Sequence, residues 1–151
     1  MQMDLCQQLF DIEQIKQLKA RYFRYVDCKD WPGFAALFAP GAIFDISDDV
    51  VGCVITGPAA IVKAASIPLA NCVTIHHGHC PEIDITSPTS ATGIWAMEDR
   101  LMWRDAAAES SKSLHGFGHY VETYTKTDNH WVIQSLKLTR LRVERLPGHD
   151  V

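Results

Sequence analysis

Three groups of residues have types and spacings that could do chemistry. Asp99 is the first. On a strand through 91–104, a period of two places it on one face with Trp95, Met97, Leu101 and Trp103, while Glu98 and Arg100 fall on the other. A carboxylate in a row of large apolar side chains is costly unless it is paired or protonated. Asp99 is therefore a functional acid, the partner of an arginine, or a group turned to water by a bulge. Asp27 is the second oddity, because it closes a long helix at the end where the macrodipole disfavours negative charge. Lys29 would partner it in a plain structural account, whereas the aromatic setting of Tyr22, Tyr25 and Trp31 points to a site. The third group is His76-His77-Gly78-His79, in mid-strand. Alternation puts His77 and His79 on one face and His76 with Cys80 on the other, unless Gly78 marks a bulge. An imidazole whose tautomer is fixed by a carboxylate is a proton carrier suited to neutral pH.

Other patterns compete with these. His77-x-His79, followed by Glu82 and with His115 or His119 further on, resembles the two-histidine-plus-carboxylate metal pattern of cupins. The spacing is one or two residues short, and a long N-terminal amphipathic helix is foreign to a pure β-barrel, so neither a metal nor another cofactor is expected. His115-Gly116-Phe117-Gly118-His119 lies inside a strand pattern and is no dinucleotide fingerprint. Its glycines permit sharp curvature or close approach of a ligand. Phe117 and His119 thus join Tyr25, Trp31, Trp95 and Met97 as candidate pocket residues. G-x-S-x-G and Walker A motifs do not occur, which removes support for nucleophile-elbow hydrolases and P-loop enzymes.

Positioning these groups falls to helices first and strands afterwards. From Asp11, the residues Ile12, Ile15, Leu18, Tyr22, Tyr25 and Val26 mark one helical face, with Lys16, Lys19 and Arg24 mostly off it. Asp11 with Gln14 reads as a capping box, and Leu5 and Leu9 belong to a separate turn. A second helix follows Asp30 through Trp31, Phe34, Leu37 and Phe38 until Pro40-Gly41. Short strands are expected at Ala42 to Ser47 and Val50 to Thr56, and a helix opened by Gly57-Pro58 reaches about Ser66. Four long segments, 71–86, 91–104, 113–127 and 130–144, read as antiparallel strands separated by Ser87-Pro88-Thr89, the polar stretch 105–112 and Asp128-Asn129. Without βαβ alternation this order predicts an α+β domain with helices on one face of a curved sheet. One domain fills residues 1–151, its core about 11–145, with a frayed end after Leu146.

Composition limits the partners. In 151 residues, 14 Lys and Arg against 18 Asp and Glu leave a net charge of −4, which is not the footprint of a nucleic-acid binder. No segment approaches a membrane span. The first ten residues lack a secretory layout, and five scattered cysteines without a C-x-x-C pair fit reduced thiols, so a cytoplasmic location is expected. On the last strand Trp131, Ile133, Leu141 and Val143 alternate with Val132, Leu136 and Leu138. One of these faces fills the core and the other wants cover from helices or a second subunit, so a homo-oligomer such as a dimer through the sheet is expected.

The run from Ile12 to Arg24, followed by Asp27-x-Lys29-x-Trp31, resembles the opening of the SnoaL-like branch of the NTF2-like superfamily. A second block agrees: His76-x-Gly78-His79-x-Pro81-Glu82-Ile83, then Ala91-Thr92-Gly93-x-Trp95 and Glu98-Asp99-Arg100-Leu101, is similar to bile acid 7α-dehydratases, and Asp27-Cys28-Lys29-Asp30-Trp31 to scytalone dehydratases. The resemblance spans about residues 12 to 143. It implies a cone-shaped, cystatin-like α+β barrel in which N-terminal helices pack on a strongly curved antiparallel sheet around an apolar pocket. It also implies roles: His76 as general base, Asp27 as its carboxylate partner, Tyr22 as the tyrosine of the first helix and Asp99 as the inward carboxylate. Both dehydratase families carry a tyrosine on the first strand, whose aligned place here falls near Ile46, and a further tyrosine of the bile acid enzymes would fall in 105–112. The expected function is a cofactor-independent lyase or isomerase acting on a small apolar, ring-containing carbonyl ligand. The alternative is a non-catalytic small-molecule-binding protein of the same fold.

Overall fold

The computed structural model describes residues 4–104 and 112–147. Its elements are α1 (Leu5–Cys28), α2 (Trp31–Ala35), β1 (Phe38–Asp45), β2 (Val54–Thr56), α3 (Pro58–Ser66), β3 (Cys72–Ser87), β4 (Ser90–Trp103), β5 (Lys112–Thr127) and β6 (His130–Pro147). They form one six-stranded sheet in the order β2-β1-β6-β5-β4-β3, antiparallel except for the parallel pair β1 and β6. This is the expected α+β architecture: helices first, then a large curved, mainly antiparallel sheet whose buried face they cover. Among the described residues no helix is long and apolar enough to cross a membrane.

The four long strands and α3 stand where the sequence places them. Asp128 and Asn129, at φ 49° and 65°, make the two-residue turn in which two consecutive left-handed residues match the twist of a hairpin. Elsewhere the structure corrects the reading. α1 starts six residues before Asp11, at Leu5, with Asp4 capping it through a bond from the Cys6 N–H. Asp11 is no cap. It is buried, and its Oδ1 accepts from Trp131 Nε1 at 2.9 Å and Lys126 Nζ at 2.7 Å, which clamps the helix to β5 and β6. α2 ends at Ala35, and Leu37, Phe38, Pro40 and Gly41 belong to the approach to β1 and its register shift between Phe38 and Ile43. A proline lacking its N–H is tolerated at such an irregularity. The polar stretch between β4 and β5 lies at 105–111 outside the described residues, as does the chain end after Pro147.

Asp11 also supplies an acid-stability test. Burial pushes its pKa up, but hydrogen bonds from Lys126, Trp131 and Gln7 outweigh that and hold it below the ordinary 3.8. A carboxyl depressed in the fold contributes stability that is present above the ordinary value and lost as pH falls through the folded one. Asp11→Asn is therefore expected to cost about 2 kcal/mol at neutral pH. The gap to the parent should narrow below about pH 3, as read by urea midpoints at both pH values.

The β5–β6 register shifts between Thr123 and Tyr124 of β5, which face Ser135 and Ile133 of β6, and this resets the alternation on β6, so Leu136 and Leu138 share the buried face with Trp131 and Ile133. The sequence expectation of two apolar faces fails here, because one extra residue in the strand collects its large side chains on one side. Leu141 is left 75% exposed.

Candidate active site

α1 ends when Lys29 turns left-handed (φ 61°) and its N–H closes on the carbonyls of Tyr25 and Val26. That stop leaves Asp27 in the last turn, facing β3. Its Oδ1 accepts from His76 Nδ1 at 2.7 Å and from the Thr74 hydroxyl at 2.9 Å, and its Oδ2 accepts from the His76 backbone N–H at 3.0 Å. The carboxylate only accepts, so the neutral ring carries its proton on Nδ1 and leaves Nε2 with a free lone pair. The His76 side chain is 11% exposed and that of Asp27 24%, so the pair is sheltered without being sealed. Lys29 does not pair directly with Asp27, as the plain reading had it. Its Nζ donates to Thr74 Oγ1 at 2.7 Å, and the Thr74 hydroxyl in turn donates a hydrogen bond to Asp27 Oδ1. Burial holds the Lys29 ammonium below its usual range.

Asp99 lies directly across from His76 in the β3–β4 register, 3% exposed, on the face that alternation assigns it. Of its three readings the arginine pair is the observed one. Arg140 Nη1 and Nη2 donate to its two oxygens at 2.9 and 2.8 Å, while Nε and Nη2 donate at 2.7 Å to Asp49 in the β1–β2 loop. Desolvation works against the Arg140 charge, but the bonds to Asp49 and Asp99 outweigh it and raise its pKa. Asp99 thus meets the guanidinium with both oxygens, the arrangement of a bidentate ion pair. Arg140 carried no sequence signal of its own. The parity of Leu136 and Leu138 would have put it on the inner face, had the β6 register shift been visible.

Gly116 makes this pair possible. It stands beside Asp99 on β5, and a Cβ there would overlap both Asp99 Oδ1 and Arg140 Nη1. The close approach expected of these glycines is thus made by an arginine head. Gly116→Ala is expected to cost about 3 kcal/mol, because it separates a buried ion pair. A lower denaturation midpoint at unchanged slope checks this.

Tyr22 is buried, ringed by Phe23, Phe34, Phe38 and Tyr120. Burial first, then the charges of Glu122, Asp99 and Asp27, push its pKa well above 10.0. It is a hydrogen-bond donor that keeps its proton. Tyr120 is raised for the same leading reason and was missed by the sequence reading. So was a buried polar chain. Lys19, placed off the helical face by the sequence reading, is fully buried and paired with Glu122 of β5, which also accepts from the Tyr124 hydroxyl. Trp95 Nε1 donates to that hydroxyl at 2.9 Å. Glu122 has the same inward parity on β5 that made Asp99 conspicuous on β4, and that was the available signal.

Of the pocket candidates, Trp95 and Met97 are on the buried face with His76, Met97 sulfur 3.5 Å from Arg140 Nη1. Tyr25 and Trp31 are half-buried around the α1–α2 turn, Tyr25 under the Arg24 guanidinium and Trp31 against Phe34. Phe117 and His119 are not with them. β5 buries Leu114, Gly116, Gly118 and Tyr120, so the residues between them point to the outer face. In β3 the irregularity falls at Cys80 (φ 38°), not at Gly78, and the four-residue histidine segment alternates undisturbed. Ile46, just past the end of β1, packs half-buried against the core.

The chain matches the SnoaL-like domain family over residues 7–137. It belongs to that family. The probable cyclase FGR4 of Gibberella zeae is 28% identical over 138 residues, 84% of this chain and 89% of its own length. Among solved structures, a scytalone-dehydratase-like protein from Novosphingobium aromaticivorans superposes with a TM-score of 0.82 at 19% identity, covering 98% of this SnoaL-like chain and 94% of its own. The hexachlorocyclohexane dehydrochlorinase LinA-type3 from Novosphingobium barchaimii gives 0.79 at 15% identity over 98% of each chain. At such identities these likenesses show the fold alone.

Proposed function

We propose that this SnoaL-like protein is a cofactor-independent lyase or isomerase acting on an apolar, ring-containing carbonyl compound. The observation that carries the reading is the 2.7 Å bond from His76 Nδ1 to Asp27 Oδ1, which leaves Nε2 as the base. Nε2 takes the proton from the carbon next to the carbonyl; the C–H electron pair becomes a C=C bond and the carbonyl π pair moves onto the oxygen, giving an enolate. Tyr22 donates a hydrogen bond to this oxygen, a contribution of roughly 3 kcal/mol in comparable sites. In an elimination the enolate then re-forms its carbonyl, a hydroxide leaves from the neighbouring carbon, and the imidazolium returns the proton to make water. In an isomerisation the same proton goes back to a different carbon. Asp99 does not enter the chemistry on this account. It is a positioning residue that holds Arg140.

Relatives named as a cyclase, a dehydratase and a dehydrochlorinase support a site that moves protons on small organic molecules. Ile46 favours the second reading, a binding protein without turnover, since no tyrosine assists from that position. One experiment separates the two. Small molecules carried through native purification are identified by mass spectrometry and re-incubated with the protein in D2O. Solvent deuterium in the recovered compound supports the enzyme; an unchanged, unlabelled ligand that stabilises the protein supports carriage.

Self-association as a dimer or trimer belongs to the same proposal. It now rests on outer-face residues such as Val73, Ile94 and Val121, each 42–43% exposed.

A further inference from the structure

The outer face of the sheet holds a second cluster of chemically active groups, which the proton chemistry at His76 does not use. Alternation turns His77 and His79 of β3 to this face, and the register sets His77 directly across from Glu98 of β4. One ring nitrogen of each histidine and one carboxylate oxygen of Glu98 lie within 4.8 Å of one another. Glu98 is oriented from its other side. His115 of β5, packed at a tilt against Phe117 with 4.4 Å between ring centres, reaches Glu98 Oε1 with Nε2 at 2.6 Å, and Oε2 is left 4.0 Å from His79 Nε2.

We propose that His77, His79 and Glu98 bind one divalent cation of borderline softness, zinc being the reference case, on the outer face of the sheet. Two imidazoles and one carboxylate match that class of ion. Calcium and magnesium prefer shells of oxygen. Three protein ligands also leave a fourth tetrahedral position for water or an incoming group. A tetrahedral site with bonds near 2.1 Å needs donor atoms about 3.4 Å apart. The observed 4.8 Å closes by side-chain rotation alone, because both histidines are exposed and the strands already hold their backbones in register. Arg100, with Nε 3.8 Å from Glu98 Oε1 and its side chain 58% exposed, has room to swing aside. His115 orients the carboxylate from behind, as hydrogen-bonded partners of metal ligands do.

The carboxylate is not the one the sequence pattern picks out. Glu82 lies beyond the irregularity at Cys80 and pairs with Ile94, whereas Glu98 reaches the histidines from the neighbouring strand.

The test is calorimetric titration of the untagged, full-length protein with zinc chloride, together with the visible spectrum of the cobalt(II) form. One saturable micromolar site is expected, with tetrahedral cobalt bands and no thiolate charge-transfer absorption. His79→Ala and Glu98→Gln should weaken binding by at least about 30-fold and His115→Ala by about 10-fold. His130→Ala, at an exposed histidine on the far end of β6, and His76→Ala should bind as the parent does. Absence of saturation at 100-fold higher zinc, survival of the site in both His79→Ala and Glu98→Gln, or thiolate absorption would each overturn the proposal. Loss of binding in His76→Ala alone would move the ion to the inner face and overturn it equally. None of these readouts depends on turnover, so the result stands apart from the enzyme assignment.

Discussion

His76→Ala abolishes turnover and leaves the fold standing: this is the expected result on which the enzyme assignment rests. The loss should be about 10⁴-fold, the upper range for removal of a positioned general base. Stability should change by no more than about 1 kcal/mol. The reason lies in how Asp27 is held. Two of its three hydrogen bonds come from Thr74 and from the backbone N–H of residue 76, and both survive truncation of the imidazole. Asp27→Asn tests the other half of the pair. An amide nitrogen facing Nδ1 favours the wrong tautomer, with the proton on Nε2, and turnover should again fall by about 10⁴-fold while ligand affinity is retained. Steady-state kinetics beside a thermal melt reads both outcomes. A His76→Ala protein with undiminished turnover would remove the imidazole from the chemistry.

The second large effect concerns stability. Lys19 and Glu122 form a fully buried pair, with Lys19 Nζ also 3.9 Å and 3.7 Å from the ring centres of Tyr22 and Tyr120. Burial pulls the Lys19 pKa down to about 8 from 10.5, and the Glu122 charge keeps it from falling further. Glu122→Gln leaves an ammonium with no counter-charge in the core, and a loss of about 4 kcal/mol is expected, since breaking a buried pair costs far more than never having one. In a chain of this size that lowers the melting temperature by roughly 10 °C. The deficit should shrink as pH rises from about 7 towards 10. Without the Glu122 charge the folded pKa of Lys19 lies below the parent's value of about 8, so the variant pays for its buried ammonium only at pH values where the parent's lysine is still charged, and the two converge once it is neutral in both. Combining Lys19→Met with Glu122→Gln should recover most of the loss, because the amide oxygen still accepts from Tyr124 and no charge remains to be buried. A double variant as unstable as the single one would show that the cost lies in shape and not in charge.

Much of the site was legible along the chain. Asp99 declared itself by parity among Trp95 and Met97, and Asp27 by its place at a helix C-terminus. The segment from His76 to His79 split correctly between two faces because nothing interrupts alternation before Cys80. Lys19 was misjudged for a physical reason: a stripe of apolar residues marks a buried face, and a lysine inside it, next to Leu18 and Tyr22, reads as an edge until its partner is known. That partner is 103 residues away. Phe117 and His119 were misplaced because glycine-rich spacing says that something comes close without saying on which side of the strand.

Local rules thus determined the order of helices and strands, the hairpin at Asp128-Asn129 and the faces of β3 and β4, since each depends on backbone preferences or side-chain period within a few residues. Tertiary structure decided which charges meet. The register of β3 against β4 set His76 across from Asp99 and His77 across from Glu98, while the shift in β6 brought Arg140 round to the inner face. Such pairings join residues tens of positions apart. Their free energy comes from mutual desolvation and geometry in the folded core, and neither quantity exists until the sheet has closed over them.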